Sequence, residues 1–577
     1  MNKTNTITDK LVKGAKIMKV IIVGGVAGGA SAAARLRRLN EQIDITIYER
    51  SGYISYANCG LPYYIGEVIT DKEELTLQTP KSFFKRFRIN AKVMHEVIDI
   101  NINGKTVSVR NLINNEVFED HYDKLILSPG AKAIRPNILG IDSVNNMFSL
   151  RTVEDTFRIY DFVKDNNAKS AIILGGGFIG LETAENLSHL GLNVTLIEAT
   201  PQVLSILDTD MVSQVHTLLR KNGINLILET SVTSFDNNNC ILSNGQVISA
   251  DIIILAMGIT PDTFLAEKAG LKTGIKGSII VNDKMETSVQ DIYAVGDAIE
   301  VEHFITKEKV LIPLAGPANK QGRIVADNIA GGNSHYKGSQ GTSIIKLFDM
   351  TIAATGINEK DAKSAGINYE KVILSPASHA SYYPGGKVMT MKVLFNKDNN
   401  TILGAQIIAF DGVDKRIDVI ATAIRAGIKA SELSELELAY APPYSSAKDP
   451  VNMAGFIIEN IITNKVKQFY YEDVEKLTRD DSVFLLDSRT PKEYSRGHVE
   501  GFINIPVDEI RERLNEIPKD KPIYVMCQSG LRSYIASRIL SENGYDSYNF
   551  AGGYRFYSMI ENEKIIANNS YPCGVDK

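Results

Sequence analysis

Two glycine-rich turns, each between a short apolar strand and a helix and each followed about 20 residues later by a glutamate, predict an α/β chain with two Rossmann-like dinucleotide-binding domains. A third observation supports the pairing: "DIYAVGDA" runs a strand into Gly296-Asp297, an acid placed to bond a flavin's ribitol chain.

The first unit is "MKVIIVGGVAGGASAAARLRRL". Its β-branched strand suits a buried parallel sheet. The turn would bring backbone N–H groups and a helix N-terminus to a pyrophosphate. Gly24 and Gly29 match the fingerprint, whereas Val26 holds the middle position, with Gly25, Ala27 and Gly28 around it. The next strand, "IDITIYE", ends in the ribose-binding candidate Glu49, followed by Arg50. The second unit, "KSAIILGGGFIGLETAENLSHLGLNVTLIEA", matches G-x-G-x-x-G fully through Gly175, Gly177 and Gly180, and Glu198 ends its next strand. An acid there accepts a ribose 2′-hydroxyl and repels a 2′-phosphate, which predicts NADH over NADPH. Two units on one chain predict hydride exchange between FAD and a nicotinamide.

The bulk properties bound the rest. A chain of 577 residues suggests about four domains. A net charge of −5 gives no electrostatic case for nucleic acid or an anionic membrane surface. No apolar run reaches the ~18 residues of a membrane helix. Four scattered cysteines make no disulfide framework, so a reducing cytoplasm is expected. Residues 1–17 lack a signal peptide's apolar core and read as a tail or an upstream start.

In order, the FAD turn, "SYANCGLPYYIG", "YDKLILSPGA" with Gly130, the NAD turn, "IILAMGITPDT" with Gly258, and "IYAVGDA" with Asp297 resemble the pyridine nucleotide-disulfide oxidoreductase family over residues 18–460. The resemblance implies a split FAD domain (18–140 and 268–335), an inserted NAD domain (141–267), an α+β dimerisation domain (336–462) and a homodimer. The second cysteine of the two-cysteine reductases would fall five places beyond Cys59, where Tyr64 stands. The chain therefore resembles the single-cysteine branch of coenzyme A-disulfide reductases, persulfide reductases and some NADH oxidases. "HASYYPGG" and "AYAPPYSSAKDPVNM" resemble the coenzyme A-disulfide reductase signature. That likeness implies that Tyr382 and Tyr440 approach the cysteine from the partner subunit. It also implies coenzyme A contacts at Ser31, Arg35, Arg38, Ser55, Asn58 and Lys448, with Asn58 beside the flavin as well.

Cys59 is the expected redox thiol. Pro62 suits the first turn of a helix, which would put Cys59 at a helix N-terminus and favour its thiolate.

The end of the chain reads as a separate unit, 470–577. "DSRTPKEYSRGHVEGFINIP" resembles the rhodanese family through Asp487, Arg489, Glu493, Gly497, His498, Gly501, Asn504 and Pro506. "KPIYVM" then leads into "CQSGLRS", where Cys527 would sit in a cradle of backbone N–H groups with Arg532 closing the loop. The Cys-x4-Arg spacing suits a sulfur atom, while the Cys-x5-Arg of related phosphatases suits a phosphate. Cys240, in a polar hairpin-like run, reads as structural; Cys573 reads as an idle tail residue or a resolving thiol.

Together these features predict an NADH-dependent persulfide or polysulfide reductase, with coenzyme A persulfide as substrate and a sulfur-carrying Cys527. A coenzyme A-disulfide reductase with an accessory sulfurtransferase and an NADH oxidase or peroxidase are the alternatives. Metal is not expected.

Overall fold

The computed structural model describes residues 17–569; the tail at 1–16 and Cys573 lie outside them. The chain divides into two compact units. The first comprises the chain up to Gly175, with 182–194 and 232–339. The second comprises 176–181, 195–231 and 340 onward.

In the first unit, a five-stranded parallel sheet runs in the order Ile292–Ala294, Lys124–Leu127, Lys19–Val23, Asp44–Tyr48, Asn90–Lys92. Its central strand Lys19–Val23 is apolar on both faces past Lys19, and Val20, Ile21, Ile22, Ile45 and Ile47 are all buried, as expected where helices cover both sides. Ile292–Ala294, from far along the chain, completes the edge beside Lys124–Leu127. This brings Asp297 to the same end of the sheet as the first glycine turn. The helices Ala27–Leu39 and Ala315–Ile329 pack together, and Gly322 lies so close to Gly28 that a Cβ there would meet the Gly28 carbonyl oxygen at 2.4 Å. Strands Met147–Ser149, Ser170–Leu174 and Ile252–Leu255 form a parallel set leading into the second glycine turn.

In the second unit, Asn225–Ile227 pairs in parallel with the strand that carries Glu198 at its end. A five-stranded antiparallel sheet follows, in the order Ser343–Leu347, Met350–Gly356, Ile402–Ala409, Thr390–Asn396, Tyr369–Leu374. Helix Val413–Ala426 lies on it. The C-terminal module is a parallel five-stranded sheet ordered Lys467–Phe469, Ser547–Phe550, Ile523–Met526, Phe484–Asp487, Ile503–Asn504. Its two cores are gathered around Val525 and Leu486 on one face and Phe550 and Met526 on the other.

Charge ties this module to the antiparallel sheet. The Tyr470 hydroxyl donates to Glu370 at 2.5 Å and lies 3.0 Å from the Lys371 carbonyl. The Lys371 ammonium bridges Glu359 (3.0 Å) and Glu472 (2.6 Å). Lys392, fully buried, sits among Asp208, Asp210 and Glu359, so three converging carboxylates surround an ammonium. On helix Gly553–Asn569, Glu563 pairs with Arg220, with His216 beside it.

Candidate active sites

The two glycine turns are built alike. Gly24 (φ +95°) and Gly175 (φ +113°) hold the left-handed backbone that ends each strand, and a Cβ on either would meet a carbonyl oxygen, Ser128 at 2.1 Å or Ala256 at 2.3 Å. Each following glycine donates its N–H to the predicted glutamate: Gly25 to Glu49 Oε2 at 2.8 Å, Gly176 to Glu198 Oε2 at 2.7 Å. The remaining oxygens are held by Ser51 N (2.9 Å) and by Thr200 N and Oγ1 (2.9 Å each). Both acids are thus fixed at the turn before any ligand binds.

The residues present fit two dinucleotides. A Cβ at Gly177 would meet no atom within 4 Å, so that glycine faces open space, as a residue approached by a pyrophosphate should. Helix Ala27–Leu39 has no side-chain cap and no acid in its first turn, which leaves its N-terminal N–H groups for an anion. Gly130 and Gly258, both at positive φ, flank the antiparallel crossover Ala131–Ala133 with Ile259–Pro261. Arg50 pairs with Asp262 at 2.7 Å. Asp297 accepts from Arg151 Nη2 at 2.8 Å, and the Gly296 N–H is held by Gln321.

Cys59 is exposed, in the 3₁₀ turn Asn58–Gly60, which leads directly into helix Leu61–Ile65 with Pro62 in its first turn. The helix start is where the motif puts it, but the expected depression of the thiol is not found. Protein packed around the turn pushes the Cys59 thiol up, the carboxylates of Glu182 and Asp297 add to this, and Arg151 offsets part of it. A five-residue helix supplies too little dipole to reverse that balance. Tyr64 is buried, edge-on to Phe157 and tilted against Tyr160, with ring centroids 5.4 Å apart in each pair. An apolar aromatic cluster therefore fills the place of a second thiol.

Four of the coenzyme A candidates, Ser31, Arg35, Arg38 and Ser55, line one groove of about 380 Å³. Arg86, Arg323, Gln78 and Asn319 join them from other elements. Asn58 stands in the cysteine turn. Arg35 also pairs with Asp327 at 2.7 Å. In the second unit, Tyr382 and Tyr440 are exposed and their hydroxyls lie 2.6 Å apart, and Lys448 is exposed on the same stretch of chain as Tyr440.

Cys527 is buried at the mouth of the C-terminal sheet. Gly530, in the left-handed conformation, donates its N–H to Cys527 Sγ at 3.1 Å, and Ser533 Oγ donates at 3.2 Å. The sulfur is thus held by one backbone and one side-chain donor. Arg532, in the same loop, bonds Glu493 with both its terminal nitrogens at 2.7 Å. That bidentate pair pulls the Glu493 carboxyl down to about 2. Arg489, buried, braces the floor of the loop: it grips Asp487 at 2.7–3.0 Å, lies over the Tyr554 ring 3.9 Å from its centroid and reaches Gln528. Arg489's stack on Tyr554 carries no signal in local sequence, since it depends on packing, whereas Ser533 stands inside the "CQSGLRS" run itself, next to Arg532. Cys240 is buried, with its thiol pushed up to about 12 by burial.

These two sulfur sites and two nucleotide turns match known families. Residues 18–322 match the pyridine nucleotide-disulphide oxidoreductase model, 342–450 its dimerisation domain and 471–559 the rhodanese-like domain. The chain belongs to the pyridine nucleotide-disulphide oxidoreductase family and is a flavin-dependent oxidoreductase that uses NAD(H). Among relatives, the coenzyme A disulfide reductase of Staphylococcus aureus is 40% identical over 439 residues, 76% of this chain and 99% of that protein. The reduced Bacillus anthracis CoADR-RHD structure is 47% identical and superposes with TM-score 0.94 over 95% of this chain and 99% of that one. A NAD-dependent persulfide reductase from A. fulgidus is 37% identical, TM-score 0.87, covering 94% and 100%.

Proposed function

We propose that the chain is an NADH-dependent persulfide or polysulfide reductase that takes coenzyme A persulfide and releases hydrogen sulfide, with Cys527 as a sulfur carrier. The carrying observation is an exposed Cys59 whose family partner position is a packed Tyr64. With no second thiol there, the other sulfur must come from outside. The groove lined by Arg35, Arg38, Arg86 and Arg323 supplies cations for the phosphates of such a substrate.

The residues divide the work. The first glycine turn with Glu49 and Asp297 would hold FAD, and the second with Glu198 would hold NADH. Bound FAD supplies the passage of two electrons from NADH to sulfur. Cys59, as thiolate, attacks the substrate's sulfur–sulfur bond: at the sulfane sulfur it becomes a persulfide and expels the coenzyme A thiolate, and at the inner sulfur it becomes a mixed disulfide and expels hydrosulfide. Tyr382 and Tyr440, reaching in from the partner subunit of a homodimer, donate to the departing sulfur. In the rhodanese module, the Gly530 and Ser533 donors hold Cys527 ready to take sulfane sulfur.

A coenzyme A disulfide substrate uses the same residues and is the second reading, favoured by the Staphylococcus aureus relative. Anaerobic NADH oxidation separates the two. Coenzyme A persulfide should drive NADH consumption with one sulfide released per NADH, and Cys59→Ser should abolish it. Fast turnover of the disulfide with no sulfide from the persulfide would establish the second reading instead.

A further inference from the structure

Beside Cys59 stands a pair that the scheme above leaves idle. Tyr63, four residues on, sends its hydroxyl to Glu182 Oε1 at 3.3 Å. Tyr63 lies on the short helix that begins at the cysteine turn, Glu182 on helix Phe178–His189 just past the second glycine turn. The pair thus joins the thiol's helix to the nucleotide's helix. We propose that Tyr63 and Glu182 form a proton station for the sulfur chemistry at Cys59, Glu182 acting through the Tyr63 hydroxyl.

Proton accounting calls for such a station. Cleaving R–S–S–R′ to two thiols takes two electrons and two protons. NADH delivers its two electrons with one hydrogen, which is left as a proton once the electrons reach sulfur; the second proton comes from solvent. The attack of Cys59 releases R′S⁻, which takes one proton. Reductive cleavage of the Cys59 adduct then regenerates the Cys59 thiolate and releases RS⁻, which takes the other. On the proposal, Tyr63 passes a proton to that second departing thiolate, and Glu182 refills Tyr63 with the proton left from the hydride.

The surroundings equip Glu182 for this. Burial pushes its carboxyl up to about 7, Tyr63's hydrogen bond draws it partly back, and the neighbouring carboxylate of Glu185 raises it. A carboxylic acid half-protonated near neutrality is suited to both accepting and returning a proton. The station is wired to the thiol: Glu182 raises Cys59, and Cys59 and Glu185 act on Tyr63. Asp297 and Arg151 complete the set of charges acting on the sulfur. A proton on Glu182 removes a negative charge from beside the sulfur, so the Cys59 thiolate forms more readily with Glu182 neutral than with Glu182 ionised.

The inference rests on Cys59 being the redox thiol, and its test keeps the two apart. On the FAD-loaded protein, infrared difference spectroscopy across pH 5–9 should show a carboxylic C=O band that titrates near 7 and is missing in Glu182→Gln. The kcat/KM for the sulfur substrate should fall as pH rises through that value. Glu182→Gln should lose this limb and drop about 10²-fold at pH 6. Tyr63→Phe should drop comparably while keeping the infrared band. A Glu182 ionised throughout that range, or a limb that survives in both variants, overturns the proposal. If instead Cys59→Ser still reduces the substrate, the reading of Cys59 is what fails.

Discussion

The coenzyme preference can be worked out from Glu198. A carboxylate offers about four acceptor positions. Gly176 N, Thr200 N and Thr200 Oγ1 occupy three of them at 2.7, 2.9 and 2.9 Å. One is left for a ribose hydroxyl. A hydrogen bond to a charged group contributes about 1.5–3 kcal/mol, or roughly 10–150-fold in kcat/KM for NADH. A 2′-phosphate placed there would meet the carboxylate at ~4 Å, costing about 4 kcal/mol at an effective dielectric of ~20. Glu198 is half-exposed, so screening cuts this to roughly 2 kcal/mol. The sum, about 3.5–5 kcal/mol, is an NADH preference of roughly 400–5,000-fold. Glu198→Ala should erase both contributions and bring the two coenzymes within about tenfold of each other. Glu198→Gln keeps a hydrogen-bonding side chain but no charge, and should improve NADPH about 30-fold. Steady-state kcat/KM with each coenzyme, at matched FAD content, reads the result. A wild-type enzyme that uses both equally, or a ratio unmoved in Glu198→Ala, refutes the reasoning.

Other substitutions test other parts of the frame. Gly177→Ala should fold and hold FAD normally, since its Cβ meets nothing, yet raise KM for NADH about tenfold or more by crowding the pyrophosphate; Gly24→Ala should lose FAD because its Cβ would strike the Ser128 carbonyl. Lys392→Met should cost about 3–5 kcal/mol, by leaving Asp208, Asp210 and Glu359 converged without their cation, read as an earlier calorimetric transition. Glu493 has its pKa lowered from 4.5 to about 2, so its pairing with Arg532 stabilises the module fully above pH 4.5 and fades as pH falls through about 2. Glu493→Gln should flatten that acid portion of the transition temperature's pH profile.

The glycine turns were legible because their chemistry is local: left-handed backbone after a strand and an acid at the end of the next strand are short-range requirements. Cys59 was legible for the same reason, as was the absence at Tyr64. The sign of the thiol's shift was not. Glu182 and Asp297 reach it from distant stretches of chain, and a helix-start motif carries no trace of them. The groove divides likewise: Ser31, Arg35 and Arg38 recur along one helix face, whereas Arg86 and Arg323 arrive only through packing. Arg532 is a residue of the motif whose bidentate partner, Glu493, comes from another stretch of chain and carries no mark in the loop itself.

The clasp of Tyr470 and Lys371 on the edge of the antiparallel sheet has a logistical meaning. A sulfur carrier on a loose tether delivers by sweeping its cargo through space. One strapped down at its first helix, and again through Glu563 at its last, keeps a fixed berth. The module therefore holds Cys527 at a fixed place within its own unit.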